Sequence, residues 1–309
     1  MQNQKLLTST ILLIIVLVVI PVVAIFYDQP LTEVQSHIFE NLVIAMVSIS
    51  LICFVIGEIT KNYSQTDKLW SIMPFFYVLY AAYASNWQPR LLLMLIVTAI
   101  WSIRLTYNFN RRGGYSWKFW TGEEDYRWTV LRQEPFLQGK IRFTLFNLFF
   151  ICLYQQGIML AFTLPTIVAM KSDKPLGFID ILLAIIFILS VSIETIGDQQ
   201  QWDFQKEKHR RKTTGEPLNA EQAQGFISSG LWAKVRHPNY ACEQSNWIVF
   251  YLFSVAATGR WINWSMVGCV LLVILFQSSA DFSENISTGK YPDYKDYQKR
   301  VPKFFPKFW

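Results

Sequence analysis

Charge is what this chain has least of. Only 16% of its 309 residues are Asp, Glu, Lys or Arg, 52% are apolar, and the mean hydropathy is +0.24. A soluble domain carries about a quarter charged residues, so that class is excluded. Histidine is limited to His37, His209 and His237, which argues against a multi-histidine metal site. The four cysteines (Cys53, Cys152, Cys242, Cys269) form no CxxC pair, so neither a zinc site nor a disulfide framework is indicated. No GxGxxG follows a strand pattern and no Walker sequence occurs, which removes the Rossmann and P-loop routes to a nucleotide. Internal repeats and low-complexity tracts are absent too.

What is present is a series of apolar runs. Crossing the hydrocarbon takes about 20 helical residues, and spans are expected near 6–26, 41–57, 69–84, 91–107, 144–168, 178–197, 246–259 and 261–280. Trp261 marks either a loop or a kink, so seven and eight transmembrane helices are both open. The predicted fold is an all-α integral membrane protein. Its first run, after a single Lys, is too long for a signal-peptide core and reads as a signal anchor. Residues 1–57 form N-terminal membrane helices and 58–309 the main membrane domain, expected to be one structural unit.

Charge sorts by side. With eight spans, 23 of the 28 Lys/Arg fall on the N-terminal side, four (Arg90, Lys171, Lys174, Arg260) on the other, and Arg104 alone within a span. Positive residues mark the untranslocated side, so both termini are expected in the cytoplasm or the matrix, with the endoplasmic reticulum or the mitochondrial inner membrane as host. The net charge of +6 then reflects topology and anionic lipid rather than nucleic acid. Residues 291–309 mix aromatics with Lys, which suits a tail folded back at the membrane surface.

Ionisable residues sit at the basic-side helix ends: Glu58, Arg104, Glu194, Asp198, Glu243, Asp281 and Glu284. Each alone reads equally well as an interfacial residue, but together they suggest a polar cavity opening to that side. Glu194 and Asp198 share one helix face. Asp180, at the other end of a helix, has no assigned role. The run Lys206–Lys212 suits anionic lipid or topology, or alternatively a cofactor phosphate. The densest polar stretch is Arg236-His237-Pro238-Asn239-Tyr240 through Glu243. Pro238 fits a first helical turn, which places Asn239 and Glu243 one turn apart near a positive helix end. His237 reads as a structural hydrogen-bonding group, a cofactor contact or an acid/base.

The motif Gly230-Leu-Trp-x3-Arg-His-Pro-Asn-Tyr-x2-Glu243 resembles the C-terminal signature of steroid 5-alpha-reductase-like membrane proteins, and an uncharacterised branch of that superfamily in particular. Ser64-Gln-Thr-Asp67-Lys-Leu-Trp70, Glu124-Asp-Tyr-Arg-Trp128, Asp198-Gln-Gln-x3-Phe204 and the Tyr294/Tyr297 tail are similar to it as well, so the resemblance covers roughly residues 60–309. It implies an NADPH-dependent reductase of a carbon–carbon double bond in a membrane lipid, steroid-, sterol- or fatty-acyl-like. Asn239 and Glu243 match cofactor contacts, Asp198 a nucleotide-side acid, and Tyr297 a tail tyrosine closing over the cofactor. Arg236, His237 and Tyr240 flank the same site. Glu58 and Tyr107 are loose candidates for the acid pair that would protonate the substrate oxygen. The chain departs from the pattern at Ala241-Cys242, where relatives have Phe-Gly, so a fold kept without its reaction is a second reading. That reading is a non-catalytic subunit of a larger membrane complex. A third is an S-adenosylmethionine-dependent methyltransferase of the isoprenylcysteine type, which shares His-Pro-x-Tyr and a Tyr-rich tail ending near Val-Pro.

The charge partition predicts that tags at Met1 and Trp309 are accessible from the same side of the membrane. Protection of one tag with exposure of the other would refute the eight-span topology.

Overall fold

A computed structural model describes residues 28–172 and 174–306, and these form helices and connecting turns without a strand. The expected span at 6–26 and the residues Met1 and Trp309 lie outside the described residues. The helices are α1 (Glu33–Thr60), α2 (Gln65–Leu69), α3 (Met73–Ala84), α4 (Pro89–Arg111), α5 (Tyr126–Arg132), α6 (Lys140–Ala169), α7 (Phe178–Thr214), α8 (Ala220–Gln224), α9 (Pro238–Thr258), α10 (Met266–Lys290) and α11 (Tyr294–Arg300). Five of them, α1, α4, α6, α7 and α10, are long and apolar enough to cross a membrane. The apolar run at 69–84 yields only the 12-residue α3, about 18 Å at 1.5 Å per residue. Helix α9 is 21 residues long but begins with Asn239, Glu243, Gln244 and Asn246. Trp261 lies in a turn between two separate helices, opened by Gly259 at φ +75°.

The chain divides into two compact units. The first comprises Met1–Ala184 and Phe250–Leu271, and the second Ile185–Val249 and Leu272–Trp309. These boundaries cut α7, α9 and α10, whereas residue 57 falls inside α1.

In the first unit, local chemistry sets the helix ends. Thr32 and Gln35 form a reciprocal capping box at the start of α1, and Lys61 ends it in the left-handed region at φ 57°. Asp125 caps α5 by accepting the Arg127 amide. Helix α6 changes register within its length: Asn147–Tyr154 is π-helical, flanked by α-helical turns, and Pro165 opens its last turn. Phe146, Phe150 and Tyr154 stack along this stretch with centroids 4.9 and 5.3 Å apart. Helix α1 turns Ile44, Leu51, Ile52, Val55 and Ile59 outward, the apolar exterior a lipid environment requires.

Close backbone approach sets the packing of α10 on α6. A Cβ built on Gly268 would stand 2.0 Å from the Ala161 carbonyl, a small-residue contact of the kind that brings membrane helices together. Gly268→Ala is expected to destabilise the purified protein by about 1–3 kcal/mol, the range for overpacking. A thermal-unfolding midpoint unchanged in detergent would show that the helices tolerate separation there.

Candidate functional site

The second unit gathers the motif residues. Gly225, at φ +99°, ends α8 and packs so closely on Tyr291 that a Cβ would meet the ring at 2.3 Å. The chain then makes a short 3-10 turn, Gly230–Ala233, docked on one turn of α7. There Leu231 donates its amide to Gln200 Oε1 at 3.0 Å, and the Trp232 indole donates to the Gly197 carbonyl at 3.1 Å. Pro238 occupies the first turn of α9, as the spacing predicts.

Arg236 and His237 are held by the tail and by Glu284. Their amides donate to the carbonyls of Pro302 and Lys303 at 2.9 and 3.1 Å. The Arg236 guanidinium donates to both Glu284 oxygens, at 2.7 and 3.2 Å, and to the carbonyls of Gln298 and Val301. His237 Nε2 lies 2.8 Å from Glu284 Oε1, and Gln298 donates to Oε2 at 2.7 Å. The imidazole stacks on Tyr240, 5.4 Å away and tilted by 15°. Tyr297 donates to the Trp232 carbonyl at 2.5 Å and, with Tyr294, packs on Phe226. Burial pushes both tail phenols up, Tyr294 to about 12.

Beside this clamp runs a row of buried acids. Asp198 accepts from Asn239 Nδ2 at 3.2 Å, Glu194 from Asn246 Nδ2 at 3.1 Å, and Glu243 from the Trp247 indole at 3.1 Å. All three acids are 4% exposed. Asn246 Oδ1 and Gln201 Oε1 are buried with no hydrogen-bond partner among the described residues. Thus Asp198, Arg236, His237, Asn239, Tyr240, Glu243 and Tyr297 lie in one unit. Within it, Arg236 and His237 are engaged in tying down the tail. Glu284 and Asn246 are the partners whose roles sequence reasoning missed. The signal was the Arg-His pair, which needs a carboxylate when buried, but nothing in the sequence chose between Asp281 and Glu284.

Glu58 and Tyr107 belong to the first unit. Glu58 accepts from Asn147 Nδ2 at 3.0 Å, with Thr144 and Lys61 at 3.4 Å. Tyr107 is 65% exposed, and Arg111 lies 5.8 Å over its ring. Two of the motifs join here. Asp67 accepts from the Trp128 indole at 2.7 Å, Glu124 accepts the Tyr63 amide at 2.8 Å and pairs with Arg132, and the Asp125 amide donates to Ser64. Lys68, fully buried, donates to the carbonyls of Phe119 and Thr121 at 3.0 and 2.7 Å. Burial lowers its affinity for a proton and raises that of Asp67. Burial alone would raise Asp125 as well, but the Arg127 charge and hydrogen bonds outweigh it and hold the carboxyl below its usual range. A second set went unnoticed in the sequence. The hydroxyls of Tyr77 and Thr66 and both amide atoms of Gln156 are buried without hydrogen-bond partners among the described residues. Each reads as core in a linear sequence.

Fold and site together define an all-helical protein with several potential membrane spans and a C-terminal tail clamped onto its signature motif. The chain belongs to a family known as DUF1295, described as proteins of unknown function, whose model matches residues 53–301. An uncharacterised protein of Schizosaccharomyces pombe (strain 972) is 35% identical over 276 residues, covering 83% of this chain and 78% of the yeast protein. No solved structure matches significantly.

Glu284→Gln leaves the Arg236 guanidinium, 12% exposed, without its carboxylate, a loss of up to about 3–5 kcal/mol, the range for a buried pair broken on one side. Trypsin should then cut at Lys295 and Lys299 well before the rest of the chain. Equal tail resistance in variant and wild type would contradict the clamp.

Proposed function

We propose that this protein is an NADPH-dependent reductase of a carbon–carbon double bond in a membrane lipid. The observation that carries the reading is the buried row in which α7 acids meet α9 amides, Asp198 with Asn239 and Glu194 with Asn246, beside the tyrosine-closed tail. Of these, Asp198, Asn239 and Tyr297 are positions that the resemblance assigns to the cofactor. The unpartnered acceptors Asn246 Oδ1 and Gln201 Oε1, with the three carboxylates, fit the hydroxyl and carboxamide donors of such a molecule. Asp198, Asn239, Tyr240 and Glu243 would hold that part.

The phosphate end draws on fewer groups than the sequence suggests. Arg210 and Arg211 are paired with Glu207 and Glu216, Arg236 with Glu284, and Lys208 donates to the Gly225 carbonyl. The exposed Lys206, Lys212 and Lys234 are the better candidates. When bound, NADPH supplies the hydride, and the protein supplies orientation and exclusion of water. Charge building on the substrate oxygen needs a donor out of water. The family's donor pair has no clean match in this chain; Glu58 and Tyr107 are the loose candidates, and Tyr107 is 65% exposed. The buried Tyr77 hydroxyl, without a hydrogen-bond partner among the described residues, is a further donor suited to the oxygen of an otherwise apolar molecule.

Three buried carboxylates also favour a second reading, an S-adenosylmethionine-dependent methyltransferase, because that cofactor carries a sulfonium and an ammonium and no phosphate. Calorimetry on the full-length protein in detergent separates the two. The reductase reading expects NADPH to bind and Asn239→Ala or Glu243→Gln to weaken it roughly 5- to 150-fold, the effect of leaving a buried polar partner unpaired. Binding of S-adenosylmethionine alone would replace it with the methyltransferase. Binding of neither, by wild type or by Cys242→Gly, would leave a structural subunit.

A further inference from the structure

The sequence places only four cations on the side of the membrane opposite the basic loops, and the first unit brings them to one place. Arg90 and Asp180 form a buried ion pair at 2.7 Å, with side chains 5% and 3% exposed. The same guanidinium donates to Ser172 Oγ at 2.6 Å and to the carbonyls of Lys174 and Pro175 at 3.1 and 3.0 Å. Ser172 in turn donates to the Ala257 carbonyl at 2.9 Å. The α6–α7 connection is thus braced against the α9–α10 turn. Gly259, at φ +75°, has no side chain to block the Lys174 ammonium, which lies 3.3 Å from where a Cβ would stand.

The result is a cavity of about 180 Å³ lined by Lys171, Lys174, Arg260, Asp28, Thr258 and Gln35, among others. Asp28 accepts from Arg260 through Oδ1 at 2.7 Å and from the Trp264 amide through Oδ2 at 3.0 Å, so the amide fixes the carboxylate that meets that guanidinium. Among the described residues, the Lys171 ammonium makes only a 3.4 Å contact, with the Pro30 carbonyl. Helix dipoles explain part of this, because Lys171 follows the C-terminus of α6 and Arg260 that of α9. They do not explain why Lys174 joins them. Among the described residues, three cations and one carboxylate line a space large enough for roughly six waters, and like charges brought together repel without an anion between them.

We propose that this cavity binds a phosphate-type anion, either the headgroup of an anionic lipid in that leaflet or free phosphate. The proposal is independent of the reductase reading, since every residue it uses lies in the first unit and outside the motif.

The test titrates full-length protein in uncharged detergent with dihexanoyl phosphatidic acid, with inorganic phosphate, and with dihexanoyl phosphatidylcholine as a zwitterionic control. Wild type should bind phosphatidic acid, phosphate or both more tightly than phosphatidylcholine. Tighter binding of the lipid assigns the site to a headgroup, and equal binding assigns it to the free anion. Lys171→Gln with Lys174→Gln, and separately Lys174→Met, should each weaken binding at least tenfold. All of these side chains are exposed, so the thermal midpoint without ligand should not move. No binding by wild type, or equal binding by wild type and both variants, would overturn the proposal.

Discussion

A single buried carboxylate organises the second unit. Taking the Glu284 carboxylate out of water costs several kcal/mol, and that cost is offset only because Arg236, His237 and Gln298 all donate to it. These donors come from the motif before α9 and from the tail helix α11, so one acid ties two distant stretches of chain to α10. Backbone pairing of residues 236 and 237 with 302 and 303 extends the tie. With the motif fixed, Asn239 and Glu243 are delivered to the first turns of α9, where Asn239 meets Asp198 of α7. The position of the acid row therefore follows from the clamp.

The first unit solves the same problem with different residues. Lys68 is fully buried, yet its ammonium finds two backbone carbonyls and Gln65 instead of an acid. Its neighbour Asp67 takes the Trp128 indole. Two motifs some 60 residues apart thus interlock through polar groups buried near an apolar bundle. The cost of leaving such groups unpaired explains why Tyr77, Thr66 and Gln156 stand out against them.

Most of the fold was legible because it rests on local signals. Apolar length marked the long helices and Pro238 marked the start of α9, whereas at Trp261 a loop and a kink were both open. The site was legible only to the extent that its residues are adjacent in sequence. Arg236 and His237 were visible as a pair, but their carboxylate is 48 and 47 residues away, and a helix carrying both Asp281 and Glu284 needs its rotation known before either can be chosen. Asp180, given no role from the sequence, pairs with Arg90 across 90 residues for the same reason. The π-helical stretch of α6 has no local signature, so its placement of Asn147 against Glu58 was out of reach.

The central claim is that the clamped motif and the acid row form one cofactor site. Hydrogen exchange on the full-length protein, with and without saturating NADPH, tests it most directly. The account predicts slower exchange confined to residues 194–204, 228–247 and 291–303. Unchanged exchange in all three stretches, or protection appearing only elsewhere, would contradict it.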